Sequence, residues 1–531
     1  MSVIENGSER EFGRDTLLDR AVHMTFKVAA IGIVFLIVAV APSVAYLCRK
    51  EWLAEGSWFM AAASLLVPLA LGLFATTVLR RFDVDLRDDR VFRRFVLGFV
   101  AVLFVCQAFV LIGARFSTGW DVWWLTLPRA YTHGDYLSES SVYFGGYPNQ
   151  LFLYALFSAA DMACGALGVS SYPVLAAVGC LCVTIALAAC LCVARELWGP
   201  RGALMFAPIA FVYLGLNGWI MVPYSDSIGM FFTSAILCCY VCARTPVRRA
   251  VGMTAFTVVG YMVKPTIVFP ALAVVLFMVP RAVRALREWR TVGSDKAKVL
   301  GVAKTAAASV SVAVALWCGC SAVKAWSFDA DPDRAFSMTH FLMMGANDAA
   351  GGGFSLDDVE YSYSFDNPGE RSRANIECWL RRIQDLGPSG VASLGLRKAL
   401  TNFADGSFAW ECEGDFYLQQ RGRIGAVQDW YGTGEVGARP GSGLGYEVVC
   451  QACWIATLIG CAAAPRCGGG NRRAVMQLSL LMLMVFLLIF EARARYVFLF
   501  APYFVLLAVP GWMRICDGVC ILVNRRLEGR C

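Results

Sequence analysis

Trp120-Asp121-Val122-Trp123-Trp124 places one carboxylate among three indoles, directly after a hydrophobic run. Further on comes Tyr143-Phe144-Gly145-Gly146-Tyr147-Pro148-Asn149. A carboxylate held against a hydroxyl can take its proton as a general base, an effect on the order of 10²–10⁴-fold. The rings could stack on a sugar, or they could form the aromatic belt of a membrane interface. Trp120, Trp123, Arg129, Tyr147 and Asn149 are therefore the candidate substrate contacts around a candidate base, Asp121.

A second group of residues is basic. Lys264, followed by Pro265, interrupts the apolar run 251–280, and Glu491-Ala492-Arg493-Ala494-Arg495 separates two late apolar runs. A phosphate at a membrane surface is matched by a guanidinium fork and a point cation, which Arg493, Arg495 and Lys264 would supply. The same side chains could instead snorkel to the interface with no ligand. Glu491 is a further candidate contact. Asp226, in Pro223-Tyr224-Ser225-Asp226-Ser227, stands just before the apolar run 227–243. It could be a second catalytic acid or a helix N-cap.

These residues must be positioned by membrane helices. The chain has 531 residues, 58% of them hydrophobic and only 16% charged, with a mean hydropathy of +0.57. Soluble domains carry roughly 25% charged residues. Apolar runs fall near 28–47, 58–79, 95–113, 151–167, 172–194, 203–220, 227–243, 251–280, 306–323, 446–464, 474–490 and 497–512. Many reach the ~20 residues that cross a hydrocarbon core. They are continuous rather than alternating, which excludes a barrel. The fold class is all-α and polytopic, with the lipid bilayer as a partner. The net charge of +7 sits at span ends and implies no nucleic-acid partner. Ser43-Val44-Ala45 only faintly resembles a signal-cleavage site, so the first run is read as a span.

The preference of Arg and Lys for short cytoplasmic loops sets the threading. Arg-rich stretches flank 251–280 on both sides, so the chain goes out and returns, with Lys264-Pro265 at the outer turn. The same logic puts 491–495 outside. Of two apolar runs between Asp121 and Arg195, 151–167 carries Ser158 and Asp161 and is read as interfacial, while 172–193 crosses. The expectation is about 12 spans with both termini inside. Residues 1–94 hold the cytoplasmic N-terminus and two spans ahead of the core. The core is 95–325, with a first large outer loop at 114–171. Residues 326–445 form an extracytoplasmic loop subdomain, partly helical near 376–403, and 446–531 the last spans and tail.

Many of the 21 cysteines fall inside spans, where they act as small apolar residues. Cys378 and Cys412 lie in the long outer loop and are candidates for a disulfide. His133 and His340, also outside, are read as solvated or hydrogen-bonded. No metal ligands are assigned, and a divalent cation is left open. Asp83-Val84-Asp85 looks like a metal-diphosphate motif but stands in a short loop. No cytoplasmic loop is long enough for a nucleotide-binding domain of ~50–200 residues. An enzyme of this shape would draw its activated substrate from the bilayer.

At these residues the chain resembles a GT-C glycosyltransferase, the membrane superfamily that includes protein O-mannosyltransferases and the lipid A aminoarabinose transferase. The likeness lies in the acid of the first large outer loop, Asp121. It also lies in Tyr147-Pro-Asn-Gln-Leu-Phe-Leu-Tyr154, in Val193-Ala-Arg-Glu-Leu-Trp-Gly199, and in Glu491-Ala-Arg-Ala-Arg-Tyr-Val-Phe-Leu-Phe-Ala-Pro502. The resemblance implies an inverting transfer from a polyprenyl-phosphate sugar donor to an extracytoplasmic acceptor hydroxyl on a glycan, lipid or protein. Asp121 would be the base, and Lys264, Arg493 and Arg495 would lie near the donor phosphate. The family's second acid in that loop is missing, since Val122 follows Asp121, and Asp226 would have to supply it. The two spans ahead of the core and the large 326–445 loop also depart from the family. Thr339–Asn347 and Trp410–Gly414 look like multispan proteins of Gram-positive bacteria. The rival from another class is a transporter or flippase of lipid-linked glycans. Such proteins tend to set charges near the midplane and to repeat their halves.

Overall fold

The computed structural model describes residues 17–81, 85–114, 116–118, 120–278, 296–410, 412, 417–419, 424–432, 443–465 and 470–528. Asp83, Glu411, residues 413–414 and the Gly/Pro-rich end of the long loop at 433–442 lie outside these. Among the described residues, nine helices are long and apolar enough to cross a membrane. They are Leu17–Ser43, Glu51–Leu79, Asp89–Ala114, Ser171–Gly215, Ser225–Cys242, Leu300–Ser327, Leu444–Ala463, Gly470–Ile489 and Ala501–Leu522.

Ser171–Gly215 is twice the length a crossing needs. Gly199, at φ 71° and ψ −173°, breaks it, and Pro200 follows. A residue with a Cβ is disfavoured at that φ, and the proline removes a backbone donor, so the helix turns back there. The 251–280 run also splits as expected. Pro246–Val263 ends at Lys264, whose backbone is extended (φ −155°, ψ 120°), and Pro265–Met278 begins the next helix. Pro265 pushes the preceding residue out of the helical region. Beside the nine candidate spans stand Pro246–Val263, of 18 residues, and the shorter apolar helix Pro265–Met278. Leu151–Ala166 is helical but has only 16 residues, and it buries Leu153, Tyr154 and Phe157 against the bundle.

The bundle core is aromatic: Trp219, Trp454 and Trp512 are fully buried, as is Trp410 from the long loop. Leu300–Ser327, by contrast, leaves Val302, Val310, Val314 and Trp317 exposed, as a helix facing lipid would.

The long loop folds into helices Met338–Gly345, Leu356–Tyr363, Pro368–Phe403 and Gly425–Tyr431. The third starts eight residues before the expected 376. Asn367 caps it, accepting from the N–H groups of Gly369 (2.8 Å) and Glu370 (3.1 Å), and Pro368 fills its first position. Buried Arg371 ties the loop together through the carbonyls of Ser362, Phe365, Asp333 and Ala335. The 114–171 loop lies at the same end of the bundle. Phe116–Thr118 pairs antiparallel with Tyr417–Gln419, and the Tyr363 hydroxyl donates to the Val142 carbonyl. Cys378 and Cys412, the candidates for a disulfide, are both free thiols in this structure.

His340 is buried under Phe336 (stacked at 4.0 Å), with Nδ1 2.7 Å from Ser362 Oγ. Burial pushes its pKa down from 6.5 to about 4. As pH falls, the unfolded chain therefore takes up this proton before the folded chain does. The stability His340 contributes is complete above pH 6.5 and is lost on the way down to about 4. At ~1.4 kcal/mol per pH unit, that amounts to about 3 kcal/mol. Thermal unfolding at pH 7.5 and 4.5 should show this loss in the wild type and a smaller one in His340→Gln.

Candidate active site

Asp121 opens a short helix, Asp121–Thr126, with Trp120 before it and Leu127-Pro128 ending it. Residues 120, 121 and 124 share one face of this turn, because positions i and i+4 align on a helix. That face borders a cavity of about 860 Å³, lined by Trp120, Asp121 and Trp124 among others. Trp123 points elsewhere and packs on Tyr136 (5.3 Å between ring centroids). Across the cavity, Glu491, Arg493 and Arg495 arrive on the segment after Gly470–Ile489. Tyr143, Tyr147, Asn149, Gln150 and Tyr224 complete this polar side.

The charges form one web. Tyr224 donates its hydroxyl to Asp121 Oδ2 (3.0 Å), and Gln150 Nε2 donates to the Tyr224 oxygen (2.6 Å). Arg495 Nη2 stands 3.9 Å from the same Asp121 oxygen, and Nη1 stands 3.5 Å from Asp226 Oδ2. Its guanidinium lies over the Trp120 ring at 4.1 Å and the Tyr224 ring at 4.8 Å. Such stacking suits a delocalised cation withdrawn from water. Lys264 ion-pairs with Asp226 and sits 3.8 Å above the Tyr496 ring. Arg493 Nε holds Glu491 Oε1 at 2.8 Å. Burial first, and then the Asp121 carboxylate, raise the pKa of Tyr143 and of Tyr147, so both phenols stay protonated.

Asp121, Trp120, Tyr147, Asn149, Glu491, Arg493 and Arg495 thus meet around one cavity, although they come from opposite ends of the chain. Asp226 and Lys264 are adjacent but buried behind the lining, where they back Arg495. Asp226 does not cap its helix, since Tyr224 occupies the N-cap position. Arg129 stands outside the lining. It donates to the Ser327 carbonyl (2.8 Å), stacks on Trp326 (4.7 Å), and so fastens the end of the lipid-facing helix.

Several cavity residues carry no motif. Leu47 and Cys48, between the two spans ahead of the core, line it, as do Ala409 and Cys412 from the long loop. Lys50 joins these two segments. It is buried, it pairs with Glu447 and with Asp405 Oδ2 (3.3 Å), and it donates to Ser407 Oγ (3.0 Å) and the Trp410 carbonyl (3.2 Å). Cys48, Phe408 and Ala409 all take left-handed φ values, of 58°, 59° and 57°. Non-glycine residues persist there only when their surroundings over-determine them.

The Glu491–Arg495 segment is held from the long loop. Lys398 Nζ donates to the carbonyls of Gly345 (2.7 Å) and Phe490 (2.6 Å), and the Ala492 N–H donates to the Gly352 carbonyl (2.8 Å). Burial pushes the Lys398 pKa down to about 8. A Cβ on Gly345 would lie 2.4 Å from the Ile489 carbonyl oxygen, so only glycine allows this approach.

Asp121, Asp226 and Glu491 each pair with a cation, and among the described residues no three His, Cys, Asp or Glu side chains converge as metal ligands. These residues do not fit a protein-held cation.

No curated protein and no solved structure matches the chain. A family model described as "conserved hypothetical integral membrane protein" matches residues 17–514, almost the whole chain, and the protein belongs to that family of integral membrane proteins.

Proposed function

We propose that the protein is a membrane glycosyltransferase that moves a sugar from a polyprenyl-phosphate carrier to an acceptor hydroxyl on the extracytoplasmic side. The observation that supports this reading is that the carboxylate of Asp121, 3.9 Å from Arg495, shares one cavity with the guanidinium group of Arg493. Asp121 takes the acceptor's proton, and the acceptor oxygen attacks the anomeric carbon. The bond from that carbon to the phosphate oxygen breaks on the opposite face, with inversion. The departing lipid phosphate keeps the electron pair, and its charge falls on Arg493 and Arg495. The Tyr224 hydrogen bond and the Arg495 charge both act on Asp121 Oδ2, which fixes the carboxylate and leaves Oδ1 clear of both contacts. Lys264 and Asp226 serve as the pair behind Arg495 rather than as direct ligands.

Two measurements test this reading. Arg493→Gln should raise KM for a polyprenyl-phosphate sugar by about 10–100-fold, the weight of a charge-assisted contact, with a smaller change in kcat. An unchanged KM removes Arg493 from the donor site. Glu139→Cys, at an exposed position of the cavity lining, should increase labelling by an impermeant maleimide added outside intact cells above that of the wild type, whose Cys48 and Cys412 line the same cavity. Labelling only from the cytoplasmic side contradicts the proposed sidedness.

A further inference from the structure

Two polar atoms in the cavity wall, Trp120 Nε1 and Gln150 Oε1, make no hydrogen bond with any described residue, and the Tyr143 hydroxyl beside them faces the Asp121 carboxylate. Tyr143 and Gln150 are themselves more than nine-tenths buried, at 8% and 7% exposure. The orientation of the Gln150 amide follows from its neighbours. Tyr224 spends its proton on Asp121, so it can only accept from Gln150, and the Gln150 carbonyl is left for the cavity. The indole N–H is a donor, the Gln150 carbonyl an acceptor and the Tyr143 oxygen a second acceptor once its proton is turned to Asp121, and none of the three atoms carries a charge. Beside them, the Trp124 and Tyr143 rings stack at 5.6 Å and 17°, giving a flat aromatic wall. Buried polar groups without partners are costly, and a site that keeps them selects ligands able to pair with them.

We infer that Tyr143, Gln150 and Trp120 form a subsite that reads the hydroxyls of a neutral sugar ring directly beside Asp121. A ring hydroxyl both donates and accepts, so it satisfies all three atoms, whereas an apolar group satisfies none. The inference rests on the transfer reading for the identity of the donor, but the ring-recognition chemistry would hold for an acceptor glycan as well.

The test is binding to the full-length protein in detergent, read by quenching of tryptophan fluorescence. The probes are polyprenyl-phosphate mannose, its monodeoxy analogues, bare polyprenyl phosphate and soluble methyl mannoside. The wild type should prefer the sugar-bearing lipid to the bare lipid by at least about tenfold. Tyr143→Phe, which removes one oxygen and keeps the ring, should lose that preference and stop distinguishing one monodeoxy analogue from the parent. Its unfolding midpoint should match the wild type, with Trp120→Phe as a second variant if it does not. Equal affinity for bare and sugar-bearing lipid overturns the subsite and leaves the phosphate site standing. Deoxygenation and Tyr143→Phe penalties that simply multiply also overturn it, because the three atoms then hold water alone. Binding of methyl mannoside that depends on Tyr143, with no binding of either lipid, keeps the subsite, assigns it to an acceptor glycan and removes the donor reading.

Discussion

Asp121→Asn should lower transfer by about 10²–10⁴-fold while the protein remains folded. The amide keeps the shape and can still accept from the Tyr224 hydroxyl, which stands 3.0 Å from Oδ2. It has no basicity to take a proton, and it no longer balances the charge of Arg495 at 3.9 Å. Because the loss falls on the proton-transfer step, kcat should drop and donor binding should change little. Initial rates over a range of donor concentrations, with thermal unfolding of the same preparation, separate this from misfolding. A variant with wild-type kcat would remove Asp121 as the base.

Lys50→Met should have the largest effect on stability. It leaves Glu447 and Asp405 without their cation in a buried site, where Trp52 Nε1 (2.6 Å) and Ser407 Oγ (2.8 Å) supply only neutral hydrogen bonds. Removing one partner of a buried charge group typically costs about 3–5 kcal/mol. The damage should reach the cavity, because Lys50 holds the strained segments that present Cys48 and Ala409 to it. Urea unfolding of the wild type, Lys50→Met and the double variant Lys50→Met/Glu447→Gln checks this. The double variant should recover part of the loss, since one of the stranded carboxylates becomes neutral. A Lys50→Met midpoint equal to the wild type would show that the cluster contributes nothing.

Much of the bundle was legible because its breaks are local. Gly199-Pro200 and Lys264-Pro265 each end a helix through backbone chemistry carried by adjacent residues, and the basic flanks of 251–280 demanded a turn inside it. Asn367-Pro368 is a cap signal of the same kind, and it starts the helix eight residues ahead of 376. Within the candidate site, chemistry and order pointed to Asp121, Arg493 and Arg495, but helix phase decided which indoles face the cavity. Trp120 and Trp124 line it, while Trp123, between them in sequence, turns to Tyr136. Arg129 resembled a ligand contact because it is a cation in the loop that carries Asp121. Its partners, the carbonyls of Trp326 and Ser327, are nearly two hundred residues away and leave no mark in the local sequence. The same holds for Lys50, whose carboxylates come from two other parts of the chain, and for the part that the first two spans play in the cavity wall.

The central claim is that this cavity breaks a sugar–phosphate bond. Membranes carrying the wild type or Asp121→Asn, supplied with polyprenyl-phosphate sugars radiolabelled in the sugar and tested one at a time, measure it directly. The account predicts that with one donor the label leaves the lipid for an extracytoplasmic acceptor in the wild type and stays on the lipid in the variant. Label that crosses the bilayer still attached to its lipid, equally with both proteins, would contradict it and point to a flippase.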